Sequence, residues 1–325
     1  MQRPFKEVII LNRTHTKTIL ICRRVIQLIP ILLIVTILAF WLSNVSAGDI
    51  ASITLQNQGI TPTEESLHAV REELGLNYPI PIQYINWLRK AIHLDFGNSF
   101  QTHRPVTEEI LSRFPATMKL AITASLVSIL ISVPVALIAA RYRNKLPDQL
   151  IRIISSVGAT IPEFCIGLIL LYFFGVKWKV APVVSGSKMQ NIWLPTLALA
   201  LQYASTYIRV LRENLIEVRS FEFMKAARAR GLSEAKTLLF HGLKNAIMPV
   251  ITLVGINFGK LVAGSVAIET IFSWNGIGQY AISSMKLKDL PVVQGYIMIV
   301  LMAYVTVNLV LDIVYMYIDP RINAE

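Results

Sequence analysis

The amino-acid sequence predicts an all-α polytopic membrane protein, and three observations lead there. Of 325 residues, 54% are hydrophobic and only 16% are Asp, Glu, Lys or Arg, whereas a soluble domain carries about 25% charged residues. The apolar residues gather into runs long enough to cross a bilayer, which takes about 20 residues for roughly 30 Å of hydrocarbon. The basic residues gather between those runs, in stretches that fall on one side of the bilayer. Mean hydropathy is +0.55.

Six runs qualify or nearly so: 25–42, 118–140, 150–174, 192–209, 246–272 and 292–318. The fourth is interrupted by Gln202, Ser205 and Thr206. Polar groups at such a depth face other helices or a pathway in preference to lipid. Gly255, Gly259 and Gly264 recur through the fifth run, and small residues let helices approach closely in a membrane. The first run is longer than the apolar core of a signal peptide and is read as a span.

The net charge is +11. Nucleic-acid binding is one reading of a basic chain, and the distribution argues against it. Arg3, Lys6, Arg13, Lys17, Arg23 and Arg24 precede the first run, and Arg141, Arg143 and Lys145 lie between the second and third. Arg212, Arg219, Lys225, Arg228, Arg230, Lys236 and Lys244 lie between the fourth and fifth. With six crossings these stretches share one side, and the positive-inside rule puts that side and both termini in the cytoplasm. Residues 1–24 are then a cytoplasmic segment and 25–325 a transmembrane domain. Lys177, Lys179 and Lys188 run against the rule, in an outside loop.

The first loop, about 43–116, is acidic and lies outside. It is predicted to hold two short helices. One starts near Thr63 with Glu64 and Glu65 in its first turn, where acids complement the helix dipole, and stops near Gly75. The other runs through Tyr84, Trp87, Leu88 and Ile92 at helical spacing. The insert is expected to pack on the outer face of the bundle.

No machinery for catalysis is visible. The chain lacks GxxxxGK[ST], HExxH and GxSxG, the patterns that cradle phosphate, bind zinc or raise a nucleophilic serine. His15, His68, His93, His103 and His241 are far apart, and Cys22 and Cys165 form no CxxC. No metal site, no cofactor and no enzymatic activity are expected of this chain. Two charges lie well inside apolar runs: Glu163 in TIPEFCIGL and Lys260 in GINFGKLVAGS. Such charges face a bundle interior or a water-filled cavity. With Gln202 and Asn257 they are candidates for a translocation pathway. A buried pair, with each other or with another subunit, meets the same energetic demand.

The polar segment KAARARGLSEAK, from Lys225, separates the fourth and fifth runs. Lys225–Arg230 favours helix, Gly231 is a natural stop, and Ser233 can cap the next helix. That helix continues through Leu238, Leu239 and Phe240, and Pro249 opens the fifth run. Ala226, Ala227 and Ala229 leave room for a partner to approach. A helix lying on lipid would need a wide apolar face. Only Phe221, Phe223 and Met224 offer one, so a protein partner is the better reading.

This segment resembles the EAA loop of permease subunits of ABC importers. Lys225, Ala226 and Ala227 are followed, after three residues, by Gly231. Lysine stands where the general pattern has glutamate, and the proline comes late. Both departures are similar to the dipeptide/oligopeptide/nickel branch, as are Ala227–Gly231 followed by His241, Lys244, Asn245, Ala246 and Pro249. LGLNYPIPIQYINWL, HLDFGNSF, RPV, FPATMKL, ETIFSWNGIG, DLPVVQGY and DPR extend the resemblance over almost the whole chain. Asn275 replaces a more usual proline.

The resemblance implies a type I ABC importer permease of the bacterial plasma membrane. It implies a second homologous permease, two cytoplasmic ATPases that hold ATP and Mg²⁺, and an extracellular substrate-binding (lipo)protein. The ATPase-coupling residues would be Lys225, Ala226, Ala227, Arg228, Ala229, Arg230, Gly231 and Leu232, within a cytoplasmic loop of about 210–245. WLRKAIHLDFGNSFQTHRPV and AARYRNKLPDQLIR look closest to nickel permeases, so the expected cargo is a nickel chelate, with di- or oligopeptides as the alternative. A self-contained secondary transporter would show inverted repeats, and none is evident.

Overall fold

The computed structural model describes residues 30, 32–41, 49–57, 59–73, 75–181 and 191–318. The expected cytoplasmic segment 1–24, the start of the first run, Lys188 and the DPR stretch lie outside the described residues.

Helices dominate the described residues. The first run holds α1 (Leu32–Trp41), and the first loop carries α2 (Ile50–Asn57), α3 (Glu64–Glu73) and α4 (Ile80–Ile92). Then come α5 (Val106–Arg141), α6 (Leu146–Thr160), α7 (Glu163–Leu170) and α8 (Trp193–Val218). A π-helical segment, Leu171–Lys177, prolongs α7. The loop and the fifth run form α9 (Glu222–Ala229), α10 (Glu234–Thr237), α11 (Leu243–Ala246), α12 (Met248–Val262) and α13 (Val266–Ile271). Last are α14 (Ile277–Lys286) and α15 (Leu290–Ile318).

The boundaries differ from expectation in informative ways. Helix α5 takes residues 106–116 out of the predicted loop and contains Pro115 and Pro134 without breaking. The third run is not one rod: Leu146–Thr160 and Glu163–Lys177 meet at 104°. Pro162 causes this. It lacks an N–H and forces Ile161 out of the helical region, to φ −71° and ψ 127°. The fourth run continues as helix to Val218, so the predicted loop 210–245 begins as helix. The fifth run breaks twice. Glu234–Ala246 and Met248–Val262 bend by 54°, and Gly264, at φ +101°, separates α12 from α13, a conformation that glycine adopts without strain. Helices α2 and α14 have no counterpart in the sequence reading. By length and composition, two described helices can cross a membrane, Val106–Arg141 and Leu290–Leu311, or up to four crossings if each bent pair is one span.

The chain forms two compact units, 1–112 with 281–325 and 113–280. In the first, α4 packs on α1: Phe40 meets Tyr84 at 5.6 Å and Trp87 at 5.7 Å between ring centroids. Asp289, buried, accepts hydrogen bonds from Ser99 Oγ (2.5 Å), Phe100 N (3.1 Å) and Gln101 N (3.4 Å). HLDFGNSF and DLPVVQGY, which sequence alone could only set side by side, are thus tied through one carboxylate.

The second unit is built around α8. Its core joins Tyr207, Leu211, Leu215 and Val218 of α8 to Ala136 and Ala140 of α5, Met224 of α9 and Val250 of α12. Each arm of the bent pair approaches α8 closely at a glycine. A Cβ at Gly158 would fall 2.3 Å from Ser205 Oγ, and one at Gly167 would fall 2.9 Å from Ile268 Cδ1 and 3.8 Å from Ala198 Cβ. Near α13 a second clamp joins FPATMKL to ETIFSWNGIG. Glu269, fully buried, accepts from Thr117 Oγ1 (2.8 Å), Gln279 N (3.0 Å) and the Gly278 amide. Trp274 Nε1 donates to Ala116 O at 2.9 Å.

Candidate functional site

The polar segment folds as a short helix and a stop. Helix α9 ends in a Schellman arrangement: Leu232 N reaches back to Ala227 O, and Gly231 N donates to Arg228 O at 2.9 Å. Gly231 sits at φ +85°, and a Cβ there would meet nothing within 4 Å, so backbone conformation alone selects glycine here. Ser233 stands at the N-cap of α10, but its side chain makes no cap hydrogen bond, which corrects the expected capping role.

One face of α9 is anchored and the other is free. Met224 and Ala227 are buried, at 0% and 6% exposure. Ala227 therefore belongs to the core and not to a docking face. Lys225, Ala226, Arg228, Ala229, Arg230, Gly231 and Leu232 are exposed. Lys225 Nζ holds Glu222 at 2.7 Å on the surface, a pair worth at most about 1 kcal/mol. The exposed face is basic with small side chains between the charges.

Arg219, which in the sequence bears only on topology, ties this segment to its neighbours. Its Nη1 donates to Ala140 O at the end of α5 (2.8 Å), its Nη2 pairs with Glu234 of α10, and its carbonyl accepts from Arg228 Nη2 (3.1 Å). Arg212 of α8 binds Asp148 of α6 in a bidentate pair, at 2.5 and 2.7 Å, the strong geometry for guanidinium and carboxylate. Asn144 N adds a third bond to Asp148 at 2.8 Å. The Arg212 hydrogen bonds hold the Asp148 carboxyl below its ordinary range, outweighing the opposing effect of burial. Through Arg219 these bonds join the segment around α9 to the end of α5 and to α10, and Arg212 joins α8 to α6.

Three of the expected pathway residues, Glu163, Gln202 and Asn257, lie on or beside α8. Glu163 opens α7 at the 104° bend. Gln202 Nε2 approaches Ile161 O at 3.4 Å. Tyr203 lies within electrostatic range of Glu163 and stacks on Tyr207 at 6.4 Å. Tyr207 Oη accepts from Asn257 Nδ2 of α12 at 3.2 Å. Lys260 lies one turn beyond Asn257 and is exposed. The sequence leaves open a Glu163–Lys260 pair. Among the described residues they do not pair, and no ion-pair or hydrogen-bond partner of the Glu163 carboxylate is present. Sequence reasoning misses Tyr203 and Tyr207, although their spacing of four within the polar stretch after Gln202 is the available signal. Among the described residues, no three His, Cys, Asp or Glu side chains group as metal ligands.

Among the described residues, apolar helices bent or broken near prolines, a carboxylate without a partner at one bend and a basic exposed segment are features of a helical membrane protein. Residues 132–324 match the family described as binding-protein-dependent transport system inner membrane component, and residues 18–121 match the N-terminal model of the same systems. The chain belongs to this family and is a permease subunit of an ABC importer in the bacterial plasma membrane, a role in which ATPase subunits and a substrate-binding protein are its partners.

The glutathione transport system permease protein GsiC of Salmonella typhimurium is 35% identical over 305 residues, covering 94% of this chain and 99% of that protein. GsiC of Escherichia coli matches at the same identity and coverage. A structure of the MetNI methionine ABC transporter, in inward-facing conformations, shares the type I importer fold. It aligns with a TM-score of 0.51 at 14% identity, covering 65% of this chain and 96% of that one. The relatives carry the name of a peptide, not of nickel, which favours the alternative raised from sequence over the first choice.

Proposed function

We propose that this chain forms, with a second homologous permease, the pathway for short peptides, glutathione being the first to test. The observation that carries the substrate is the full-length relation to GsiC, 94% of one chain on 99% of the other. Six crossings with both termini in the cytoplasm remain the topology that fits the charge distribution, with the outside loop near 43–116. Lys225, Ala226, Arg228, Ala229, Arg230, Gly231 and Leu232 dock in a groove of an ATPase that holds ATP and Mg²⁺. The anchored inner face of α9 supports this, because a push on α9 is delivered to α8 through Met224 and to α5 through Arg219.

The test is uptake by the complete importer in proteoliposomes. Glutathione or alanyl-alanine should accumulate only with ATP and loaded binding protein. Uptake of a Ni²⁺ chelate with no peptide uptake would overturn the substrate. Gly231→Val should leave ATP hydrolysis running while uptake falls at least tenfold, because a β-branched residue at φ +85° costs roughly 1–2 kcal/mol and the turn re-forms elsewhere. Normal uptake by that variant would remove the loop from coupling.

A further inference from the structure

The unit formed by 1–112 and 281–325 holds a cleft of about 480 Å³. Small-molecule sites run from about 300 to 1,000 Å³ and combine apolar walls with a few polar groups. Helix α4 supplies one wall: Gln83, Asn86, Trp87 and Lys90 line the cleft, at the i, i+3, i+4 and i+7 spacing of a single helix face. Residues 95–100 line it from the stretch after α4, and Leu290 and Gln294 from the start of α15. Most of these residues belong to the first loop, so on the topology proposed above the cleft lies outside the membrane.

The walls are tied to one another. Asp289, next to Leu290, accepts from Ser99 Oγ, Phe100 N and Gln101 N, which fixes the stretch after α4 to the start of α15. Gln83 Nε2 donates to Leu76 O (3.0 Å) and Tyr78 O (2.7 Å), which fixes the turn after α3 to α4. Asp95 N donates to Lys90 O at 3.0 Å, and Asp95 Oδ1 accepts from Gly97 N at 3.0 Å. Phe40 of α1 packs on Trp87. These ties do not use up the polar side chains of the cleft. Among the described residues, the side chains of Asn86, Lys90, Asn98 and Gln294 have no hydrogen-bond or ion-pair partner. The cleft is thus held in shape with its polar groups open, as a small-molecule site largely formed before its ligand arrives.

We propose that this cleft is an outer subsite for the peptide, with the Lys90 ammonium on the peptide's carboxylate, the Asn98 and Gln294 amides beside its backbone, and Trp87 and Phe100 against its side chains. This rests on the peptide reading above. The charges choose the occupant. Lys90 and Asp95 bring one charge of each sign to the cleft, which matches a small zwitterion. An inserted loop of the binding protein has no terminal charges to answer them. Lysine binds a carboxylate through a charge-assisted hydrogen bond, and unpaired amides supply neutral donors and acceptors. The subsite holds peptide between its release by the binding protein and its entry into the pathway.

The test reads occupancy as protection from alkylation, in the complete importer without binding protein. The two cysteines, Cys22 and Cys165, are replaced by serine, and Asn86→Cys puts a thiol on the wall one turn from Lys90. Labelling of this chain by a membrane-impermeant maleimide is followed by mass. Alanyl-alanine should slow the labelling. Its C-terminal amide should need about tenfold more for the same effect, since a hydrogen bond between charged groups is lost. Lys90→Gln should make the two peptides equal, and Lys90→Arg should restore the difference. Equal protection by both peptides before any change at Lys90, or a difference that survives Lys90→Gln, overturns the proposal. So does the absence of protection, and so does protection that needs the binding protein and is the same with and without peptide, the mark of a docked protein. Uptake by the unaltered importer is measured alongside. If neither glutathione nor alanyl-alanine accumulates, the peptide reading has failed; if they accumulate while the thiol stays unprotected, only the subsite has failed.

Discussion

Two glutamates sit in apolar elements of the same compact unit, and they are handled in opposite ways. Glu269 is fully buried and caged by the Thr117 hydroxyl and the amides of Gly278 and Gln279. Glu163 is half-buried at a helix break and has no partner among the described residues. Burial of a charge is tolerated when hydrogen bonds replace water, so Glu269 reads as a structural joint. A carboxylate left open in such a setting is a functional candidate. An acid in an apolar run therefore says little until its neighbours are known.

The contrast is tested most severely at Glu269. Glu269→Leu strands the Thr117 hydroxyl and two amides, each costing about 1–3 kcal/mol when buried without a partner. Thermal unfolding of the purified complex should show the largest loss of any variant here, roughly 3–5 kcal/mol. A variant as stable as wild type would remove the joint. Gly276→Ala comes next: its Cβ would lie 2.5 Å from both Glu269 Oε2 and Thr117 Oγ1, and overpacking of this kind costs about 1–3 kcal/mol.

Asp148 is the intermediate case, a buried acid matched by a cation. Its carboxyl is held below the ordinary range chiefly by the Arg212 hydrogen bonds. The pair therefore contributes stability above the unfolded carboxylate value and loses it as pH falls through the lower, folded value. Asp148→Asn should destabilise near neutral pH and flatten the acid limb of a stability profile. An unaltered limb would mean the pair is not what titrates there. Smallest is Glu163→Gln. Removing a charge that no described residue pairs with should change stability by under about 0.5 kcal/mol. A large drop in unfolding temperature would make Glu163 a joint like Glu269 and end the contrast.

Much of the organisation is legible because it rests on local chemistry. Composition and run length point to a helical membrane protein, Gly231 marks the stop after α9, and Glu64 and Glu65 mark the start of α3. The breaks are harder. Pro162 and Pro249 are plain in the sequence, yet a hydropathy run continues through a proline, so 150–174 and 246–272 read as single rods. Arg212 and Arg219 carry information only as charges until the carboxylate and carbonyl they bind come into place. Ala227 cannot be told from Ala226 by residue type; helix phase against Met224 and the core separates them.

Local chemistry is enough to fix the class of protein, the basic stretches between its spans and the helix–glycine–helix segment. Hydrophobicity, charge and the left-handed freedom of glycine act within a few residues and need no tertiary partner. Which charges are satisfied is settled by packing alone. Partners of Glu269, Asp289 and Asp148 lie 152, 190 and 64 positions away, and hydrogen bonds of that range exist only once helices have packed. The same packing leaves the Glu163 carboxylate, among the described residues, without an ion-pair or hydrogen-bond partner, and that is what separates it from the other three acids.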